Sequence, residues 1–188
     1  MSRAALSDDV MRYRDPQFKV PAAKLLPTQY LVVDDGTALV TVLGSCIAAC
    51  VRDPLLQLGG MNHFMLPEGN VGDGAPARYG SYAMELLIND MLKAGARRDR
   101  LEAKLFGGGR MFDSLSDVGA ANADFAEKFL ADEGIPVVSR SLRGAGGRRI
   151  HYWPVSGRAR QRVVTDGAIL PPATPPPPSV ATGDLELF

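Results

Sequence analysis

The chain has 188 residues, 46% of them hydrophobic and 22% charged, which suits one globular domain with a sizeable core. Lys plus Arg and Asp plus Glu both number 21, so the formal net charge is zero and no general pull toward nucleic acid or an anionic membrane follows. No apolar run approaches the roughly 20 residues of a membrane span, and Met1 to Val20 lacks the apolar core of a signal peptide; a cytoplasmic protein without membrane insertion is the simplest expectation.

Residues 1–26 mix charges with Pro16 and Pro21 and show no sustained period, which reads as an irregular N-terminal arm ahead of a main domain over 27–165. Tyr30–Val33 and Thr37–Leu43, joined by Asp34-Asp35-Gly36, read as a hairpin. The apolar run Ala38 to Leu43 breaks at Gly44-Ser45, just before Cys46, where glycine permits a sharp turn. Ile47–Val51 and Leu58–Leu66 read as two further strands, the second carrying His63.

The spacing makes a structural prediction. If Asp53 to Gln57 connects an antiparallel hairpin, paired residue numbers sum to about 109–110 and Cys46 lies opposite His63 or Phe64. Directly opposed Cβ atoms lie roughly 4.5–5.5 Å apart, so thiol and imidazole meet. Thiol chemistry needs such a neighbour, because a free thiol with a pKa of about 8.5 is mostly protonated at neutral pH. The imidazole takes that proton and returns it to a leaving group. The alternative is a small buried Cys46 and a satisfied core His63, and residue spacing alone leaves both readings open.

Cys46 and Cys50 would stand roughly 13 Å apart in a strand, too far for a disulfide. Cys46, Cys50, His63 and His151 make a conceivable zinc set, but their spacing matches no common ligand pattern.

Further along, Pro67 to Ala77 is a Gly- and Pro-rich loop beside the candidate site. Met84, Leu87, Ile88, Met91 and Leu92 form a helical stripe, with Ser81 near its start and Gly95 just past its end. Leu101 to Phe106 is strand-like and runs into Gly107-Gly108-Gly109, which lacks both a P-loop ending and a dinucleotide fingerprint, so close backbone approach explains it better. A second helix spans about Asn122 to Glu133, with Gly134 as its stop. Ile135 to Leu142 is a strand, and Arg148–Trp153 with Arg158–Val164 reads as a final hairpin in which His151 is structural. Residues 166–188 are Pro-rich and read as a disordered tail with an acidic-apolar tip, a candidate docking peptide. Strands outnumber helices and come in hairpins, which suits an α/β sandwich of mixed or antiparallel sheets with helices packed outside.

The runs TVLGSCIAACVRDP, GGMNHFMLP, RYGSYAMELLINDMLKAGA, KLFGGGRMF and GGRRIHYWPVSG, in that order, resemble the CheD family of chemotaxis proteins. That resemblance implies a fold similar to toxin-type cysteine deamidases and a catalytic Cys-His-Thr set acting on chemoreceptor glutamines. Carried over, Cys46 matches the nucleophile, His63 the base and Thr41 the third member, with Thr37 as fallback. From its own residues Thr41 is simply a good β-former. The reaction would run through a thioester, with the backbone N–H groups of Ser45 and Cys46 as oxyanion-hole candidates and no metal or organic cofactor. The implied partners are methyl-accepting chemotaxis receptors as substrates and, in some lineages, a CheC-type phosphatase. A non-catalytic adaptor stimulating that phosphatase is therefore the rival reading. One departure stands out: Ala121 occupies the place where the family usually has an arginine, just before Asn122.

Overall fold

The computed structural model describes residues 9–66, 75–111 and 117–164, and of 75–78 the backbone alone. In chain order the elements are β1 (Met11–Arg14), β2 (Pro21–Lys24), β3 (Tyr30–Val33), β4 (Ala38–Leu43), β5 (Ile47–Asp53), β6 (Leu58–Phe64) and α1 (Ala75–Lys93). They continue with β7 (Glu102–Gly107), α2 (Val118–Asp132), β8 (Val137–Leu142), β9 (Gly147–Trp153) and β10 (Arg158–Val164). Sheet I has the order β1-β2-β4-β9-β10, and sheet II the order β3-β6-β5-β7-β8. Each is antiparallel except for one parallel pair, β2 with β4 and β7 with β8. The expected α/β sandwich of mixed sheets forms, with both helices on the outer side of sheet II.

Alternation along β5 shows how one strand serves two cores. Ile47, Ala49 and Val51 pack with Met84, Leu87, Ile88 and Met91 of α1 and Leu130 of α2. Ala48, Cys50 and the half-buried Cys46 face the other way, into the layer between the sheets with Leu39, Leu43, Met61 and Ile150. Four of the five stripe residues, Met84, Leu87, Ile88 and Met91, are fully enclosed, and each such side chain contributes about 1.5–3 kcal/mol relative to exposure, while Leu92 is half-buried. Gly95, at φ +102°, ends that helix in a conformation side chains resist.

Among the described residues no helix covers sheet I. Its outer face, with Ala38, Val40 and Trp153, packs against Tyr13, Phe18 and Val20 from the β1–β2 region. Residues 11–14 and 21–24 are therefore not the irregular arm the sequence suggests. Both strands are only four residues long, and β2 is held by a parallel pairing to β4 that no local pattern announces.

The expected 30–43 hairpin does not form. β3 pairs with β6 in sheet II and β4 with β2 and β9 in sheet I, so Asp34-Asp35-Gly36 carries the chain from one layer to the other. Asp35 caps this crossing by accepting the Thr37 amide at 2.9 Å. Both strands are buried almost throughout, as a crossing between two packed layers requires. α1 begins at Ala75, ahead of Ser81 and of the apolar stripe. Of the expected loop, 75–77 lie in α1 and 67–74 lie outside the described residues, as does the 166–188 tail.

Candidate functional site

The site is built at one end of the sandwich, where β4 leaves sheet I and β5 enters sheet II through Gly44-Ser45-Cys46. In the β5–β6 register Ala48 faces His63 and Ile47 faces Phe64, so paired numbers sum to 111. Cys46 is therefore not opposite His63 or Phe64. Asp53 itself pairs with Leu58, and the connection shortens to 54–57, which moves the register. His63 and Cys46 still share a face, because Cys46 lies two positions from the residue opposite His63. They are diagonal neighbours, a relation that places backbones roughly 7–8 Å apart. Ala48, directly across from His63, carries only a methyl group.

Thr41 reaches His63 from the opposite sheet. Its Oγ1 lies 2.8 Å from His63 Nδ1 and donates to the Leu25 carbonyl at 2.9 Å. One hydroxyl has one proton. With that proton on Leu25, Thr41 accepts from Nδ1–H, and the lone pair of the neutral ring sits on Nε2. Nε2 is buried without a hydrogen-bond partner. The backbone of His63 is pinned as well, its N–H to Gln29 and its carbonyl to Thr28.

Burial pulls the His63 pKa down to about 4, against an opposing pull from the Leu25 carbonyl, so the ring is neutral near pH 7. Burial pushes the Cys46 thiol up, with its own backbone N–H pulling the other way. The resting pair is thus a thiol and a neutral imidazole, without a preformed thiolate. Cys50 is wholly enclosed and burial raises its pKa strongly, so it is inert by comparison. Thr37 donates its amide to Asp35, and the hydroxyl that meets His63 Nδ1 is that of Thr41.

Three donors hold the Gly44-Ser45-Cys46 turn. Gly109 N–H reaches the Gly44 carbonyl at 2.9 Å, Gly108 N–H the Cys46 carbonyl at 2.8 Å, and Asn122 Nδ2 the Ser45 carbonyl at 2.9 Å. The glycine run comes so close that a Cβ at Gly107 would stand 2.0 Å from the Cys46 carbonyl oxygen. Asn122, fully buried in α2, also accepts the Leu66 amide at 2.9 Å. Its side chain thereby links the turn to the segment following β6. Sequence alone offered Asn122 only as a helix-start residue. Met65 and Met111 border the turn, Met65 Sδ accepting from Ser45 Oγ at 3.7 Å and Met111 lying over Gly44.

The zinc set does not assemble. His151 lies on the outer face of sheet I, its Nε2 3.1 Å from Asp15 Oδ2, while Cys46, Cys50 and His63 face the interior. Among the described residues no three His, Cys, Asp or Glu gather as metal ligands, and no helix is long and apolar enough to cross a membrane.

Against known proteins, a family model described as CheD chemotactic sensory transduction matches residues 65–163. A Xanthomonas campestris pv. campestris protein is 62% identical over 160 residues, covering 84% of this chain and 81% of its own. One from Stenotrophomonas maltophilia is 61% identical with the same coverage, and one from Caulobacter vibrioides 56% over 180 residues, covering 93% of this chain and 96% of its own. All three carry the name "Probable chemoreceptor glutamine deamidase CheD". The matched segment and the near full-length identities agree, and this chain belongs to the CheD family.

Proposed function

We propose that the protein hydrolyses the side-chain amide of chemoreceptor glutamines to glutamate, releasing ammonia, through a thioester on Cys46. The observation that carries this reading is the state of His63: its Nδ1–H is held by Thr41, and its Nε2 is buried, unpartnered and on the same sheet face as the thiol.

The steps follow from proton balance. As substrate enters, His63 Nε2 takes the Sγ proton while Sγ attacks the carboxamide carbon, and the carbonyl π pair moves onto oxygen. The resulting oxyanion is received by backbone N–H groups of the turn, a kind of contact worth about 2.7–4 kcal/mol per donor in other enzymes. Collapse restores the carbonyl and breaks the C–N bond, the nitrogen leaving as ammonia with the proton from His63. Water, deprotonated by the freed Nε2, then attacks the thioester, and the sulfur departs and regains its proton. Thr41 takes the orienting role that a carboxylate has in other triads. A neutral ring suits this cycle, because both half-reactions begin with an empty nitrogen. The cytoplasm, a reducing compartment, keeps Cys46 as a thiol.

Mass spectrometry of receptor peptides incubated with wild type and Cys46→Ala tests the reading. Conversion by wild type alone is expected, and equal conversion by both proteins would overturn it. Binding of a CheC-type phosphatase is compatible with this chemistry and is read separately, by pull-down with the Cys46→Ala chain.

A further inference from the structure

We infer that Asn122 is a positioning residue for the oxyanion donor, acting through the peptide bond between Ser45 and Cys46. A trans, planar peptide group aims its C=O and its N–H in opposite directions. Asn122 Nδ2 holds the Ser45 carbonyl at 2.9 Å, so the N–H of the same peptide group, that of Cys46, points away from Asn122. Among the described residues that N–H has no backbone acceptor in the protein, whereas the neighbouring Gly44 and Cys46 carbonyls are both engaged by the glycine run. The same N–H favours the ionised form of its own thiol. An acyl carbon bonded to that sulfur places its oxygen within reach of this N–H, where an oxyanion donor has to stand.

The amide is built for the task. It is fully enclosed, and each end of its side chain meets one partner, Nδ2 the Ser45 carbonyl and Oδ1 the Leu66 amide. The same side chain therefore fixes the orientation of the donor and the spacing between the nucleophile turn and the strand that carries His63. The helix that bears it approaches closely because Gly119, one turn earlier, lies against the Gly108 and Gly109 carbonyls, where a Cβ would sit 2.5–2.6 Å from those oxygens. A merely satisfied core amide would hold the fold equally well, but it would not separate reactions that make an oxyanion from those that do not.

That separation is the test, and it rests on the acyl-transfer reading above. p-Nitrophenyl acetate acylates a thiol through an oxyanion: the Sγ–C bond forms, nitrophenolate leaves with its electron pair, and the thiol proton goes to His63. Iodoacetamide alkylates the same sulfur by direct displacement of iodide, with no oxyanion. In the full chain, Asn122→Asp keeps size and the Leu66 contact but cannot donate to Ser45 when ionised, and Asn122→Ala removes both contacts. Each is expected to slow the acylation burst by about 10-fold or more while alkylation stays within about 3-fold. In receptor deamidation kcat is expected to fall by the same factor, with KM nearly unchanged. Acylation and alkylation falling together, or acylation unchanged, would overturn the inference. Should the variants fail to fold, the wild-type protein carries the test: a peptide aldehyde forms a hemithioacetal on Cys46, and its oxygen is expected to shift the Cys46 amide proton in the NMR spectrum. An unmoved resonance would overturn it. An Asn122-dependent burst in a protein that leaves receptor glutamines untouched would defeat the receptor reading and leave this inference standing.

Discussion

The molecule holds two histidines, and their surroundings make opposite arrangements from similar parts. Both are buried. His151 has the partner usually associated with catalysis, a carboxylate, with Asp15 Oδ2 3.1 Å from Nε2. Its ring is boxed by Phe18, edge-on at 4.9 Å, and by Trp153, stacked at 6.1 Å. Asp15 is itself tied to the amides of Gln17 and Phe18, so the pair fastens the β1–β2 connection across sheet I. His63 has only a threonine hydroxyl, yet one of its nitrogens is left open on the face where Cys46 lies. On the proposed reading, the working histidine is the one with an unfilled acceptor on the face of the proposed nucleophile, and the one with a carboxylate partner is structural.

The strongest way to break that contrast is to remove each ring. His63→Gln is expected to lower kcat for receptor deamidation by about 10²–10⁴-fold, whereas His151→Gln leaves it within about 3-fold. Peptide mass spectrometry measures both, and equal losses would abolish the distinction. Next in size is Thr41→Val, which keeps the shape but strands the Nδ1–H in a dry interior. A loss of about 10-fold or more in kcat and about 1–3 kcal/mol in urea denaturation is expected, with Thr41→Ser recovering most of both. Thr37→Val, the sequence's other candidate, should leave kcat untouched.

The pH dependence of stability sharpens the comparison. The folded His63 pKa of about 4 lies below the ordinary 6.5, so the unfolded chain binds the proton more tightly. Its contribution is fully present above pH 6.5 and is lost as pH falls toward 4, by about 3 kcal/mol. Urea midpoints measured across that window should flatten in His63→Gln. For Asp15, burial opposes ionisation but the Phe18 and Gln17 amides and His151 outweigh it, holding the carboxyl below its usual value. Its stabilisation therefore persists above the ordinary carboxylate pKa and disappears only in stronger acid, below the His63 window. The smallest effect is expected from Asp15→Asn, about 0.5–1.5 kcal/mol of stability with unchanged kcat.

Much of this was legible in the chain because it is local. The α1 stripe, the β9–β10 hairpin and the strands around Cys46 each declare themselves by period and by bounding Gly, Asp or Pro. The glycine run after β7 was readable as a close approach, although not what it approaches. What escaped was set by long-range pairing. β3 and β4 look like a hairpin because a short turn-like tripeptide joins them, yet layer crossing depends on β6 and β9, which lie far along the sequence. The β5–β6 register differed from the expected one because Asp53 is part of the ladder. The difference from the 109 register is two residues, which keeps Cys46 and His63 on one face where a shift of one would have put them on opposite faces. Asn122 was invisible as a site residue because its two partners are a carbonyl and an amide, groups every residue has.

The hydrogen bond from His63 to Thr41 crosses the seam between the two layers, and this makes the chemistry a gauge of their alignment. A slip of about an ångström would leave every strand intact yet release the ring from its tautomer and aim. Deamidation should therefore fade at lower denaturant than the circular dichroism signal.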